Sequence, residues 1–368
     1  MSVFYMPVKY FLGNNIILNK FQDVIKQYNR VLIITGKSSK LNNSLNHVVD
    51  ILKSNNCEYA IFDEIIPNPP TTLLQKIKDK SYDFKTDCII GIGGGSHIDT
   101  AKAVSLMIAN DISPQDIFSP DNCQRAIPIV AIPTTSGTGT EVTQYSVINN
   151  VEKGIKAGFG NELIFPKYSF LDPQYTYTLS TTVTRDTALD ALSHLFEGVF
   201  SNKRNETVYP LIYDGVSKII NNLEKALKHP DNYNFRKNLM IASLYGGIVI
   251  AQTSTTLQHA IGYPLTFHLN ISHGYSNALA MPYIIDVYGD EIKEIILDIL
   301  QYAGISNLDN FYKWLEKLGV EFTVEKLKDY NLEEFADVTS KARNMALNPV
   351  EISYDKILEI YKKIAGMI

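Results

Sequence analysis

The sequence predicts an α/β half built on a parallel sheet, residues 1–180, followed by an all-helical half, residues 181–368. Three observations carry this reading. Up to about residue 175, short runs rich in β-branched residues alternate with longer amphipathic stretches. Those runs are almost continuously apolar, as strands covered on both faces by crossover helices must be. From Thr184 onwards long segments carry helical periodicity, with few β-rich runs between them.

In chain order, "RVLIITG" (30–36) reads as a strand ending in glycine, and "LNNSLNHVVDILKSN" (41–55) has helical spacing. "YAIFDEI" (59–65) is a second strand, followed by "PNPP" and the helical "TTLLQKIKDK". "DCIIGIGGGS" (87–96) is a third strand running into glycines, and "HIDTAKAVSLMIAN" then reads as a helix. "AIPIVAIPTTSGTGTEVT" gives a fourth strand and a loop of small residues. The second half offers helices over 184–200, 206–228, 234–252 and 274–303. No internal repeat or low-complexity linker interrupts the chain.

Composition narrows the class of partner. A net charge of -5 without a basic stripe argues against nucleic acid. No apolar run reaches the length of a bilayer span. The N-terminus, "MSVFYMPVKYFLG", lacks the basic start and apolar core of a signal peptide. Cys57, Cys88 and Cys123 are scattered, fit a reducing compartment, and read as small buried apolar residues. The expectation is a cytoplasmic protein that handles a small molecule.

Two loops and one pair of segments carry candidate chemistry. "GIGGGSHIDTAK" (91–102) sets three glycines and Ser96 between strand and helix, where backbone N–H groups and the helix dipole suit a pyrophosphate. A plain tight turn is the alternative. "PTTSGTGTEVT" (133–143) supplies hydroxyls that suit a nucleotide or simply a polar turn. "TRDTALDALSHLFEG" (184–198) places Asp190 and His194 four residues apart, on one face of a helix. Three of the seven histidines, His259, His268 and His273, crowd into "TTLQHAIGYPLTFHLNISHG" (255–274). One carboxylate and three imidazoles form a tetrahedral set for Zn(II) or Fe(II), whereas an isolated Asp–His pair is an ordinary surface or capping pair. His47 and His229 fall on helices read as surface ones, His97 lies just inside the glycine turn, and His268 lies beyond Pro264 in an irregular stretch.

Together these motifs resemble the iron-containing (group III) alcohol dehydrogenase family. Its fold is dehydroquinate synthase-like, with a Rossmann-like N-terminal sheet, and is shared with glycerol dehydrogenase. "GGGSHIDTAK", "IPTTSGTGTEVT", "FLDP", "DTALDALSHLFEG", "HAIGYPLT" and "SHG" follow in the family's order over nearly the whole chain. The resemblance implies that Asp190, His194, His259 and His273 bind a divalent metal, Fe(II) or Zn(II). It implies that Gly94, Gly95 and Ser96 hold the pyrophosphate with Asp99 nearby. Thr134, Thr135, Thr138 and Thr143 would line adenosine and ribose, and Asn68 and Lys156 would also touch the cofactor.

Two departures from the family stand out. Where many members carry an aspartate after the first strand, this chain has "GKSSK" (36–40). Gly36, Ser38, Ser39 and a lysine, Lys37 or Lys40, would suit a 2′-phosphate, so NADP is expected to be preferred over NAD. A family histidine four residues after the third ligand is here Tyr263. One helical turn beyond His259, it is either a catalytic phenol or a packing residue beside Pro264.

The implied activity is a metal-dependent, NAD(P)-linked alcohol dehydrogenase, or aldehyde reductase, moving hydride between small alcohols or aldehydes and nicotinamide. A dehydroquinate-synthase-like enzyme, with glutamate among its ligands, or a glycerol-dehydrogenase-like one would share the architecture. A non-enzymatic metal-binding relic is the remaining reading. A homodimer is common among similar proteins, and the sequence leaves the oligomeric state and the substrate open.

Overall fold

The computed structural model describes residues 3–81 and 83–368. It forms two compact units. One comprises Met6–Ser180 together with His229–Met240, and the other holds Thr181–Lys228, Ile241–Ile368 and the chain up to Tyr5.

In the first unit, the described residues run β1 (Lys9–Leu12), α1 (Ile16–Ile25), β2 (Arg30–Ile34), α2 (Lys37–Leu41), α3 (Ser44–Ser54) and β3 (Glu58–Phe62). They continue through α4 (Thr71–Ser81), β4 (Cys88–Gly93), α5 (Gly95–Asn110), β5 (Ile129–Pro133), β6 (Tyr145–Asn150), β7 (Ile155–Gly160) and β8 (Tyr168–Leu171). Six of these strands build one sheet in the order β1-β8-β5-β4-β2-β3, and its pairings are parallel. β6 and β7 form a separate antiparallel hairpin.

The apolar strands explain the two-sided cover. Successive side chains of a strand point to opposite faces. Val31, Ile33, Ile90 and Ile92 accordingly join a core with α1 and α3, while Leu32, Ile34 and Ile89 join another with α4 and α5. The chain leaves β2 towards α3 on one face and leaves β4 towards α5 on the other. The adjacent C-terminal ends of β2 and β4 therefore form a switch point of the sheet, the crevice where open α/β sheets bind ligands. Gly36 and the Gly93–Ser96 turn stand there.

The second unit is helical among the described residues: α6 (Thr181–Phe200), α7 (Tyr209–Lys228), α8 (Tyr233–Thr253), α9 (Leu257–Leu269), α10 (His273–Val287), α11 (Asp290–Tyr302), α12 (Leu308–Lys317), α13 (Leu332–Ser340) and α14 (Tyr354–Ile364). α8 begins in the first unit and ends in the second. None of these helices is long and apolar enough to cross a membrane.

α6 is the central helix of this unit. It packs on α7 and α10, and every residue from Ala188 to Phe200 is buried. Asp190, His194 and Glu197 lie on it at i, i+4 and i+7, so they line one face of its buried stretch. α10 approaches α6 closely because Gly274 has no side chain. A Cβ there would collide with the Asp186 carbonyl and sit 2.9 Å from the Asp190 Cβ.

Three expectations change here. The segment 274–303 is two helices, broken at Gly289 in the left-handed region (φ 82°). His268, read as irregular, lies inside α9, which continues through Pro264. His229 is exposed but follows the end of α7 instead of lying on a helix.

Candidate functional site

Three elements converge on the first candidate site. α6 delivers Asp190 and His194, the first turn of α9 delivers His259, and the first residue of α10 is His273. Asp190, His194 and His259 are all at least 95% buried. His259 Nε2 stands 3.1 Å from His194 Nε2 and 3.8 Å from Asp190 Oδ1, while His273 Nε2 stands 4.0 Å from the same oxygen. One ligand atom each from Asp190, His259 and His273 lies within 4.8 Å of the others. His194 enters the group through His259, on which its ring stacks.

Asp190, His259 and His273 have further polar neighbours. Asn277 Nδ2 donates to Asp190 Oδ1 and approaches His259 Nε2, both at 3.2 Å. Thr266 Oγ1 lies 3.5 Å from His273 Nδ1 and 3.0 Å from Ser276 Oγ. Ser272, the N-cap of α10, donates its hydroxyl to Asp186, whose carboxylate also pairs with Arg185 at 2.7 Å. Arg185 in turn lies over the Tyr275 ring.

Glu197, wholly buried, meets His259 Nδ1 with Oε2. Burial disfavours the Glu197 carboxylate, but the facing His259 ring and the Thr256 N–H hold its pKa below the ordinary value. Sequence reasoning passed over Glu197 and Asn277. The available signal was a carboxylate three residues after His194, within the apolar run Leu195–Phe200.

Tyr263 is half-buried and stacks on His273, with ring centroids 5.5 Å apart and planes 10° from parallel. It also meets His259 edge-on. His268 points elsewhere, stacking on Phe335.

The second candidate site lies in the sheet unit, where the glycine turn meets the threonine loop. A Cβ on Gly94 would sit a tight 3.2 Å from Thr135, and one on Gly95 would sit 2.7 Å from Thr138, so a side chain at Gly95 would force the loop to shift. Thr134 donates its N–H to the Gly93 carbonyl, while its buried hydroxyl has no hydrogen-bond partner. Ser96 Oγ accepts from the N–H of Asn68, a residue in the left-handed region. Lys156, on β7, pairs with Asn149, which bridges to Pro70, two residues after Asn68. An orphaned hydroxyl, glycine-lined backbone and a helix N-terminus are what a dinucleotide would need here.

Part of the expected cofactor set is used differently. Ser39 is fully buried and spends its hydroxyl on the Gly36 carbonyl and Thr35. Lys40 is paired with Asp63 at 2.5 Å. Thr143, 2% exposed, accepts from Lys102 at 3.2 Å. Asp99 braces Thr140 and the Val147 N–H; burial raises its pKa and Lys102 draws it back. The turn "GKSSK" folds into α2, and helical geometry swings Ser39 inward while Lys37 and Ser38 stay on the outer side.

Lys102 was not anticipated. Fully buried, its ammonium donates to the carbonyls of Thr140, Thr143 and Tyr145 at 2.6–2.8 Å. Burial lowers its pKa to about 8, against the pull of Asp99 and Glu141.

Comparison with known proteins settles the family. The iron-containing alcohol dehydrogenase model matches residues 7–173, and the model of that family's C-terminal part matches residues 184–365. A crystal structure of an iron-containing alcohol dehydrogenase from Thermotoga maritima aligns over 100% of both chains, with 36% identity and a TM-score of 0.91. The chain belongs to the iron-containing alcohol dehydrogenase family.

Among curated members of this alcohol dehydrogenase family, NADH-dependent butanol dehydrogenase A of Clostridium acetobutylicum is 29% identical, over 97% of this chain and 98% of its own. A long-chain primary alcohol dehydrogenase of Thermoanaerobacter ethanolicus is 26% identical, over 94% of this chain and 93% of its own. The parallel sheet unit and the helical unit are those of iron-containing alcohol dehydrogenases.

Proposed function

We propose that the chain interconverts small alcohols and aldehydes, with Asp190, His194, His259 and His273 holding one divalent metal and the glycine and threonine loops holding NAD(P). The observation that carries the metal reading is the spacing of the donor atoms. A tetrahedral ion with bonds of roughly 2.1 Å has ligand–ligand edges of about 3.4 Å, and the separations in this cluster are 3.1, 3.8 and 4.0 Å. Buried imidazole nitrogens facing one another at that distance fit a shared cation.

A bound Fe(II) or Zn(II) supplies Lewis acidity toward the alcohol or carbonyl oxygen, and the nicotinamide supplies the hydride acceptor or donor. The rest is positioning by this chain. Burial of Asp190, His194 and His259 excludes water, Asn277 orients Asp190 and His259, and Thr266 backs the Nδ1 side of His273. Gly94, Gly95, Ser96 and the α5 N-terminus receive the pyrophosphate, and Thr134, Thr135 and Thr138 line the nucleotide. Tyr263 lies flat on His273, which supports a place for its hydroxyl beside the reacting oxygen.

NADP is the preferred cofactor in this reading. No carboxylate follows β2, and Gly36, Ser38 and Lys37 remain to receive a 2′-phosphate. The three cysteines are free and two are buried, which supports a cytoplasmic setting.

The test is an anaerobic panel of aldehydes with NADPH and NADH on metal-quantified protein. Turnover that requires bound metal, with a higher kcat/KM for NADPH, is expected. Turnover unaffected by metal removal overturns the metal assignment, and a kcat/KM with NADH equal to or above that with NADPH overturns the cofactor preference.

A further inference from the structure

The Glu197 carboxylate has two tasks, one per oxygen. Oε1 accepts from the Thr256 N–H at 2.7 Å, the Thr256 hydroxyl at 3.0 Å and the His259 N–H at 3.2 Å. These are the opening groups of α9, whose N-cap Thr256 makes no side-chain cap of its own. A carboxylate from α6 therefore caps α9 from outside, where orphan N–H groups and the helix dipole favour a negative charge. Asn348 and Asn344 complete the cap: Asn348 Oδ1 accepts from the Leu257 N–H, and Asn344 donates to the Thr256 carbonyl. The other oxygen, Oε2, meets His259 Nδ1.

Three donors converge on Oε1, and the second oxygen faces Nδ1, so the geometry gives Nδ1 the proton and leaves Nε2 to offer a lone pair when the ring binds an ion. An independent contact agrees. Asn277 Nδ2 lies 3.2 Å from His259 Nε2, and its other neighbours are Asp190 Oδ1 and Ser193 Oγ. An amide N–H₂ faces acceptors in that position, so Nε2 is an acceptor too.

We infer that Glu197 is a positioning residue that locks His259 in the Nδ1–H tautomer and so presents Nε2 to the divalent ion. The inference rests on the metal reading above and adds what makes that ligand competent. Its geometry also ties the fold to the site, because the carboxylate that starts α9 is the one that sets the ring at its first turn. Asp190 and His194 lie on the same helix as Glu197, so one element carries two ligands and the support of a third.

Glu197→Gln separates the two tasks. Glutamine offers one oxygen and one N–H₂ group. Three donors at the head of α9 demand the oxygen, which turns the N–H₂ group toward His259 Nδ1. The ring must then accept at Nδ1 and carry its proton on Nε2, against the ion. Zn(II) affinity, measured by competition with a chelator, should fall by about ten- to a hundredfold, while the thermal midpoint of the metal-free variant stays near that of the metal-free parent. In the metal-free parent, ¹⁵N shifts of labelled histidine should show His259 as the Nδ1–H tautomer.

Parent-like Zn(II) affinity in Glu197→Gln, or an Nε2–H tautomer in the parent, overturns the inference. The tautomer measurement decides it if the variant does not fold. Whether the parent takes up one Zn(II) per chain tests the metal reading separately, since the tautomer is read without metal.

Discussion

At the scale of single residues, His259 and His273 are expected to be indispensable to the ion: alanine at either should abolish bound metal and turnover together. Elemental analysis of the two variants checks this, and full metal content in both would refute the assignment. Tyr263 makes a different prediction. Its ring lies flat on His273, so Tyr263→Phe should retain metal and fold. If the hydroxyl takes part in proton transfer, kcat falls by on the order of tenfold or more; parent-like kcat and pH profile reduce Tyr263 to a packing ring. His97 bears on pH. Lodged against Gly36 and Gly93 and half-buried, it has its pKa lowered from 6.5 to about 4 by desolvation, against a partial pull from Gly94. A lowered folded-state value means the unfolded chain takes up the proton first as pH falls. The stability this neutral ring contributes is thus complete above about pH 6.5 and drains away down to about pH 4, by up to roughly 3 kcal/mol. Thermal midpoints of the parent should fall across that window, and those of His97→Asn should fall less. The histidines and Asp190 could be singled out in sequence because few residue types suit a divalent ion. Glu197 could not, because a glutamate on a helix is usually solvated and only burial marks it out.

At the scale of elements, Lys102 shows how one side chain fixes a loop. It ties three carbonyls between Thr140 and Tyr145 to α5, whose N-terminus carries the glycine turn. Lys102→Met leaves those carbonyls and the neighbouring Asp99 without their cation. A loss of about 3–5 kcal/mol is expected for breaking such a buried arrangement, together with a KM for the cofactor that rises more than kcat falls. Denaturant unfolding and cofactor titration measure both, and an unchanged KM would show the loop to be held by other means. The strands β2, β4 and β5 were readable because burial on both faces leaves uninterrupted apolar runs. β6 and β7 were not: β6 mixes polar and apolar residues with burial that alternates, and β7 carries two glycines and only one buried residue. α9 was missed past Pro264 because a proline ordinarily ends a helix, whereas here packing on α10 and α13 carries the helix onward.

At the scale of the whole molecule, the metal and cofactor readings fall in different units, so their removal should have different signatures. Stripping metal is expected to raise hydrogen exchange in α6, α9 and α10 and to leave the parallel sheet unaffected. A ligand present at a hundred times its dissociation constant contributes about 2.7 kcal/mol; equal deprotection of sheet and helices would contradict this assignment. The fold class was evident from the change of periodicity near the middle of the chain, but the exchange of segments was not, since His229–Met240 has no local mark of belonging to the sheet unit. That exchange sets an order of events during synthesis. A nascent chain that has emerged only through Ser180 has all the strands of its sheet but lacks the stretch that completes its unit, and the intervening Thr181–Lys228 must leave the ribosome first. The N-terminal unit therefore finishes assembling only after part of the other has been translated, and a ribosome stalled between residues 180 and 228 should display a chain more sensitive to protease than one stalled well past Met240.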